Sequence, residues 1–428
     1  MSINYSKSVI EKIKKAVAEQ SDNPRWSEVF SNCFDNTLET TVKTTVNDTF
    51  VITGDIPAMW LRDSSAQIKP YLAVANDDEN IQQMIRGLVD RQIKYILIDP
   101  YANAFNETEN GHCYHQDITE MNGWIWERKY EVDSLCYPIE LAYLLWKETG
   151  ETKHFTREFK QAAATIIHLF KTEQHHENSP YRFERFGERP EDTLSNNGLG
   201  EPCGYTGMTW SGFRPSDDSC TYNYLIPANM FAVVILGYLS EISNQIYDDE
   251  LMAEKADKLK QEIHHGITKW GIVEHQGQKV YAYEVDGLGN YLLMDDANVP
   301  SLLAAPYLGY CSINDAIYQN TRTLILSDTN PYYYAGTKLK GIGSEHTPKE
   351  FVWPIALCIQ GLTTNSQLEK AQLLDILVQT DAGTNHMHEG VNVDDPQKYT
   401  REWFSWANMM FCAFLLDYLK IGQLERSK

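Results

Sequence analysis

The sequence predicts an all-α fold, in which six buried helices alternate with six amphipathic ones and close in a ring as an (α/α)6 barrel, a six-hairpin toroid with minor β excursions. Three observations predict it. Nearly every periodic segment repeats its apolar residues at three- and four-residue intervals, the signature of a helix with one wet face. A second class of segment is apolar nearly all round, and a helix of that kind has to be surrounded by others. Acidic and aromatic residues gather just ahead of each segment of this second class.

The elements follow in order along the chain. "MSINYSKSVIEKIKKAVAEQ" at the N-terminus reads as an amphipathic helix threaded with lysines, without the apolar centre and small-residue cleavage site of a secretion signal. The first buried helix begins at Arg62 in "RDSSAQIKPYLAVA", and an amphipathic one follows at residues 80–97. Buried segments at 133–146 and 217–239 alternate with amphipathic ones at 156–174 and 254–270. "GQKVYAYEVDGLGN", residues 277–290, alternates and then ends in glycine turns, so a short β excursion is expected there. Further buried helices are expected at 295–310, 350–362 and 402–419, with an amphipathic helix at 365–380, and few strands elsewhere. The loose long-period repetition and the 428-residue length suit a single domain spanning residues 1–428.

Composition narrows the function. The 59 acidic residues against 37 basic ones leave a net charge of -22, which repels phosphate backbones and anionic lipid heads, so neither nucleic acid nor a membrane is an expected partner. No run of about eighteen apolar residues stands out, and no spanning helix is expected. The eight cysteines are scattered, without the close pairs that hold zinc or exchange thiols, and read as reduced, mostly buried thiols of a cytoplasmic protein. The 25 tyrosines and 10 tryptophans supply rings that stack on sugar faces as readily as they fill cores.

The polar clusters are Arg62-Asp63, Glu131-Asp133, Asp217-Asp218, Asp295-Asp296, Glu350-Trp353 and Glu402-Trp403. If the inner helices run the same way, these clusters meet at one end of the ring. For any single aspartate, capping a helix N-terminus is an equal alternative. In "GFRPSDDS" two adjacent carboxylates, Asp217 and Asp218, repel one another, and one of them suits a general acid. In "HMHEGVNVDD" the histidines, His388 among them, suit hydrogen bonds to a polar ligand, and Glu389 suits a base acting on water. The spacing there matches no common metal motif, and neither a metal nor a cofactor is expected. His346 and Trp353 in "GIGSEHTPKEFVWP" are candidate sugar contacts, against a core reading for each. In "WIWERKYEVDS", Trp126 can stack on a ring while Glu127 and Asp133 accept hydroxyl hydrogen bonds. Arg62 with Asp63, Arg214 and Arg401 share one logic, a guanidinium–carboxylate fork for vicinal hydroxyls.

Taken together, "DIPAMWLRDSSAQ", "WERKYEVDSLCYP", "FRPSDDS", "MDDANVPSLL", "GIGSEHTP", "FVWPIAL", "MHEG" and "TREWFSWANMMF" resemble the pattern of glycoside hydrolase family 125. The resemblance implies a metal-independent, exo-acting α-1,6-mannosidase that inverts the anomeric centre, with a mannose-containing oligosaccharide or glycan as its partner. It carries the general acid to Asp218, with Asp217 competing, and the general base to Glu389. It also brings Asp296 and Asn298 of the "MDDANVPSLL" block into the sugar-binding set. Two other readings are a different (α/α)6 enzyme, a sugar epimerase or polysaccharide lyase, and a sugar-binding protein without activity.

Overall fold

The computed structural model describes residues 6–187 and 189–422. The chain falls into two compact units: Met1–Arg91, Leu141–His154 and Tyr332–Lys428 form one, Gln92–Glu140 and Phe155–Pro331 the other.

In the first unit the helix Ser405–Leu419 is the core, buried at every residue from Ser405 to Cys412. It packs on Pro24–Thr40, Leu61–Ile68 and Pro354–Leu362. The contact with the last is close because Gly361 has no side chain: a Cβ there would lie 2.1 Å from the Phe414 ring. Helix Pro24–Thr40 was not among the expected elements. Its signal is nonetheless in the sequence, in Trp26, Val29, Phe30, Cys33, Phe34, Thr37 and Leu38, all buried along one stripe after an Asn23-Pro24 start. The N-terminal amphipathic helix runs Lys7–Gln20, burying Ile10, Ile13 and Val17; the first five residues of the expected stretch lie outside the described residues.

The second unit is built around helix Ile226–Gln245, which packs on Glu250–Gly266. The expected start at Asp217 is corrected by nine residues, to Ile226. Tyr224–Leu225 is a strand paired with Glu284–Val285, and Pro227 in the first turn begins the helix there. Helix Ile226–Gln245 is also long and apolar enough to cross a membrane by length and composition, contrary to expectation, although 78% of its most apolar window is buried within the protein.

The expected helix at 295–310 is absent; the segment is a series of turns. Its apolar content is real, but Pro300 and Pro306 each remove a backbone donor. The chain instead wraps Asp295, whose two oxygens accept the Leu302 and Leu303 N–H groups at 2.8 and 2.9 Å. The β excursion takes the form of a hairpin, Ile272–His275 with Gln278–Tyr281, followed by Glu284–Val285. Short strands are more frequent than expected. Met59–Trp60, Tyr224–Leu225 and Phe351–Val352 each lead into a buried helix, with Arg62 and Asp63 in the first turn of helix Leu61–Ile68 and Asp217 and Glu350 in left-handed turns ahead of their strands.

Candidate active site

In the second unit, the candidate residues gather about the turn at 214–219. The Asp217 N–H donates to the Arg214 carbonyl at 2.9 Å and the Arg214 N–H to the Asp218 carbonyl at 2.8 Å. A bridge between Phe213 and Ser219 closes the turn, and Asp217 is at φ 68°, left-handed as such a turn requires. Helix Ile226–Gln245 is capped at Leu225, so neither aspartate caps it and that alternative falls away. The two carboxyls also differ in setting. Asp218 has no exposed side-chain surface and its Oδ1 lies 2.9 Å from Nη2 of Arg189. Asp217 is half-buried, its Oδ1 accepting from Asn103 at 3.4 Å while Lys129 donates to its carbonyl at 2.6 Å.

A chain of bonds continues from there. Asn103 also donates to Glu127 at 2.9 Å, and Glu127 accepts from Arg185 at 2.8 Å. Arg185 in turn grips both oxygens of Asp117 at 2.7 Å. Trp126 alternates with Glu127 along strand Ile125–Glu127 and meets Tyr114 edge-on, with ring centroids 4.7 Å apart. Arg214 is buried and bonds Glu284 at 2.6 Å; the same carboxylate accepts the Thr221 and Tyr222 N–H groups. The fork predicted for sugar hydroxyls is therefore occupied within the fold, where it fastens the turn to strand Glu284–Val285. The Arg214 guanidinium lies over the Tyr283 ring, whose hydroxyl is kept neutral by burial and by the charge of Asp296. Asp296 accepts from both the backbone and the side chain of Asn298. Burial pushes the neighbouring Asp295 up to about 8. Asp133 sits fully buried in the first turn of helix Val132–Thr149.

The first unit holds the other group. Strand Gly390–Asn392 pairs with Tyr399–Thr400, and the Glu389 N–H just ahead of it donates to the Thr400 carbonyl at 3.2 Å. This places Glu389 beside Arg401, whose Nη1 lies 3.5 Å from its carboxylate. Arg401, at φ 45°, also bonds Asp55 through Nε and Nη2 and lies 4.3 Å over the Phe404 ring. His388 is buried and stacked on Tyr399 at 3.7 Å, its ring nitrogens facing the carbonyls of Arg401 and Asp381. Burial pushes its pKa below the usual histidine value, so it is neutral near pH 7.

Arg62 and Asp63, the oppositely charged pair that interrupts an apolar run, are both buried, with Nε and Oδ2 3.5 Å apart and Trp406 near the guanidinium. Trp353 is buried, donates Nε1–H to Thr347 at 2.9 Å, and packs its ring against Phe404. His346 is half-buried, with its N–H on the Ser344 hydroxyl.

Within each unit, then, the structure joins Trp126, Glu127, Asp217 and Asp218, and separately His388, Glu389 and Arg401. Sequence reasoning missed Asp55, Asn103, Asp117, Arg185, Arg189 and Glu284. Their pairings are tertiary and leave no periodic trace; Asp55 and Glu284, like Lys129, stood inside conspicuous motifs without their partners being evident. Among the described residues no cluster of three His, Cys, Asp or Glu is arranged to hold a metal ion.

The sequence matches the family model described as metal-independent α-mannosidase (GH125) over residues 23–416. It is 38% identical over 445 residues to the meiotically up-regulated gene 157 protein of Schizosaccharomyces pombe, covering 97% of this chain and 86% of that one. Among solved structures it resembles a metal-independent α-mannosidase of Streptococcus pneumoniae, in a non-productive complex with α-1,6-mannobiose. The two are 57% identical with a TM-score of 0.97, covering 98% of this chain and all of that one. A bacterial glucoamylase bound to acarbose aligns at TM-score 0.61 and 12% identity over 93% of this chain and 56% of that one, a likeness of fold alone. The fold is the all-α (α/α)6 barrel shared by these glycosidases.

Proposed function

Because the chain belongs to glycoside hydrolase family 125, the metal-independent α-mannosidases, we propose that it is an exo-acting enzyme. It removes terminal non-reducing α-1,6-linked mannose from oligosaccharides or N-glycans with inversion. One observation carries the linkage: the 57% identity, across 98% of the chain, with a mannosidase whose bound ligand is α-1,6-mannobiose. The unbroken family match from 23 to 416 supports reading the chain as one catalytic domain.

Inversion needs one carboxylic acid to protonate the glycosidic oxygen and one carboxylate to deprotonate a water on the opposite face of the sugar. The two stand roughly 6.5–9.5 Å apart so that the water fits. We assign the acid to Asp218 and the base to Glu389. For Asp218 the support is its fixed direction. The turn hydrogen bonds and Lys129 on the preceding carbonyl leave it little freedom, which is what a proton donor to a single oxygen requires. For Glu389 it is Arg401, held in turn by Asp55, which orients the carboxylate from one side.

The remaining candidates fall into two groups. Trp126, Glu127, Asp217, Arg62, Asp63, Asp296, Asn298, Asp133 and His346 are assigned to the sugar hydroxyls and ring faces. Arg214, His388, Trp353 and Arg401 are assigned to holding other groups in place: Glu284, the Tyr399 ring, Thr347 and Asp55 in turn. A cytoplasmic location is supported by eight cysteines, all unpaired, and the charge of -22 argues against nucleic acid and anionic membrane.

Digestion of the α-1,2-, α-1,3- and α-1,6-linked mannobioses in the presence of a chelator tests the substrate. Mannose release from the α-1,6 isomer alone is expected. An unsaturated product absorbing in the ultraviolet, or isomerisation without cleavage, would replace this reading with a lyase or an epimerase.

A further inference from the structure

Tyr114 stands out in a part of the second unit that the catalytic assignment leaves unused. Its side chain is 62% exposed, yet it does not lie on a loose loop. The Gly111 N–H donates to the Gly123 carbonyl at 2.9 Å, and the Asn106 amide holds the His112 carbonyl at 3.0 Å. Farther along, Ile118 pairs with Glu184, Thr119 donates to the Arg182 carbonyl, and Asp117 takes two bonds from Arg185. Trp126, only 7% exposed, backs the Tyr114 ring edge-on. A single exposed ring is ordinary on a protein surface. A ring fixed on a fastened loop, braced by a buried tryptophan, is different: it offers a flat apolar face with little conformational entropy to lose on binding.

Position gives the face its meaning. From Asp117, on the same loop, bonds run through Arg185, Glu127 and Asn103 to Asp217, next to the proposed acid. Asp218 is the group that would protonate the departing oxygen, so chemistry reached from its side of the reaction belongs to the leaving sugar. Phe186, 78% exposed, follows Arg185 on the segment bridged to this loop at Ile118 and Glu184.

We propose that Tyr114, braced by Trp126, is a stacking platform for a sugar ring on the leaving-group side of the scissile bond, and so selects for oligosaccharide length. The inference rests on the α-1,6-mannosidase reading and deepens it.

The test compares wild type, Y114A, Y114F and Y114W on α-mannosyl fluoride, which carries no leaving-group sugar, and on α-1,6-linked manno-oligosaccharides of two to four units. Y114A is expected to lower kcat/KM on at least one oligosaccharide by about three- to tenfold, and to change fluoride turnover by less than twofold. Y114F and Y114W should restore the loss. An equal fall on fluoride and oligosaccharides, or no fall on any oligosaccharide, overturns the platform. Titration of intrinsic tryptophan fluorescence with the same oligosaccharides separates the two claims. Binding that depends on Tyr114 in a wild type that cleaves none of them keeps the platform and sinks the mannosidase reading; cleavage indifferent to Tyr114 does the reverse.

Discussion

Arg189 Nη2 lies 2.9 Å from Asp218 Oδ1, an ion pair between a side chain 38% exposed and one with no exposed surface. The arginine comes from a surface segment, the aspartate from the buried turn, so a group at the rim of the unit reaches the proposed acid directly.

If Asp218 is that acid, D218N removes the proton donor and keeps the shape. Turnover should fall by about 10²–10⁴, while calorimetric binding of α-1,6-mannobiose is largely retained. D217N should weaken binding more than turnover. Full activity in D218N would move the acid to Asp217.

Arg401 forks between Asp55 and Glu389. R401K keeps the charge and loses the planar fork, so kcat should fall by about tenfold or more, with the fold intact by circular dichroism. E389Q should be as inactive as D218N.

The Arg214–Glu284 pair is almost wholly buried, with side-chain exposures of 2% and 0%. R214M leaves a carboxylate in the interior facing only neutral donors, at a cost of about 3–5 kcal/mol. R214M/E284Q removes both charges and should be less destabilised than R214M in urea unfolding.

His154 is buried with Nε2 on the Ala142 carbonyl. Burial lowers its pKa from 6.5 to about 4, the hydrogen bond opposing the shift. Between these values the unfolded chain takes up a proton that the folded one refuses. This contribution is complete above about pH 6.5 and is lost as pH falls towards about 4, amounting to about 3 kcal/mol. The slope of unfolding free energy against pH in that window should be shallower in H154Q; an unchanged slope would assign it to other groups.

Much of the fold was legible because a helix apolar all round declares its burial, as at 402–419 and 133–146. Where burial is reached without a helix, the same signal misleads. The 295–310 segment is as apolar as its neighbours, but its prolines and the carboxylate of Asp295 organise turns instead. The candidate site was legible in its charged residues and not in their partners. Arg214 and Arg401 are conspicuous in the sequence, whereas Glu284 and Asp55, which hold them, sit 70 and 346 positions away. Asp217 and Asp218 looked equivalent until the turn gave one a left-handed backbone and the other full burial.

The central claim is a proton given by one carboxyl and a water activated by another. It is tested most directly by proton NMR of the first sugar released from α-1,6-mannobiose, with chelator present. β-Mannose appearing before mutarotation is the predicted result; α-mannose appearing first would contradict it.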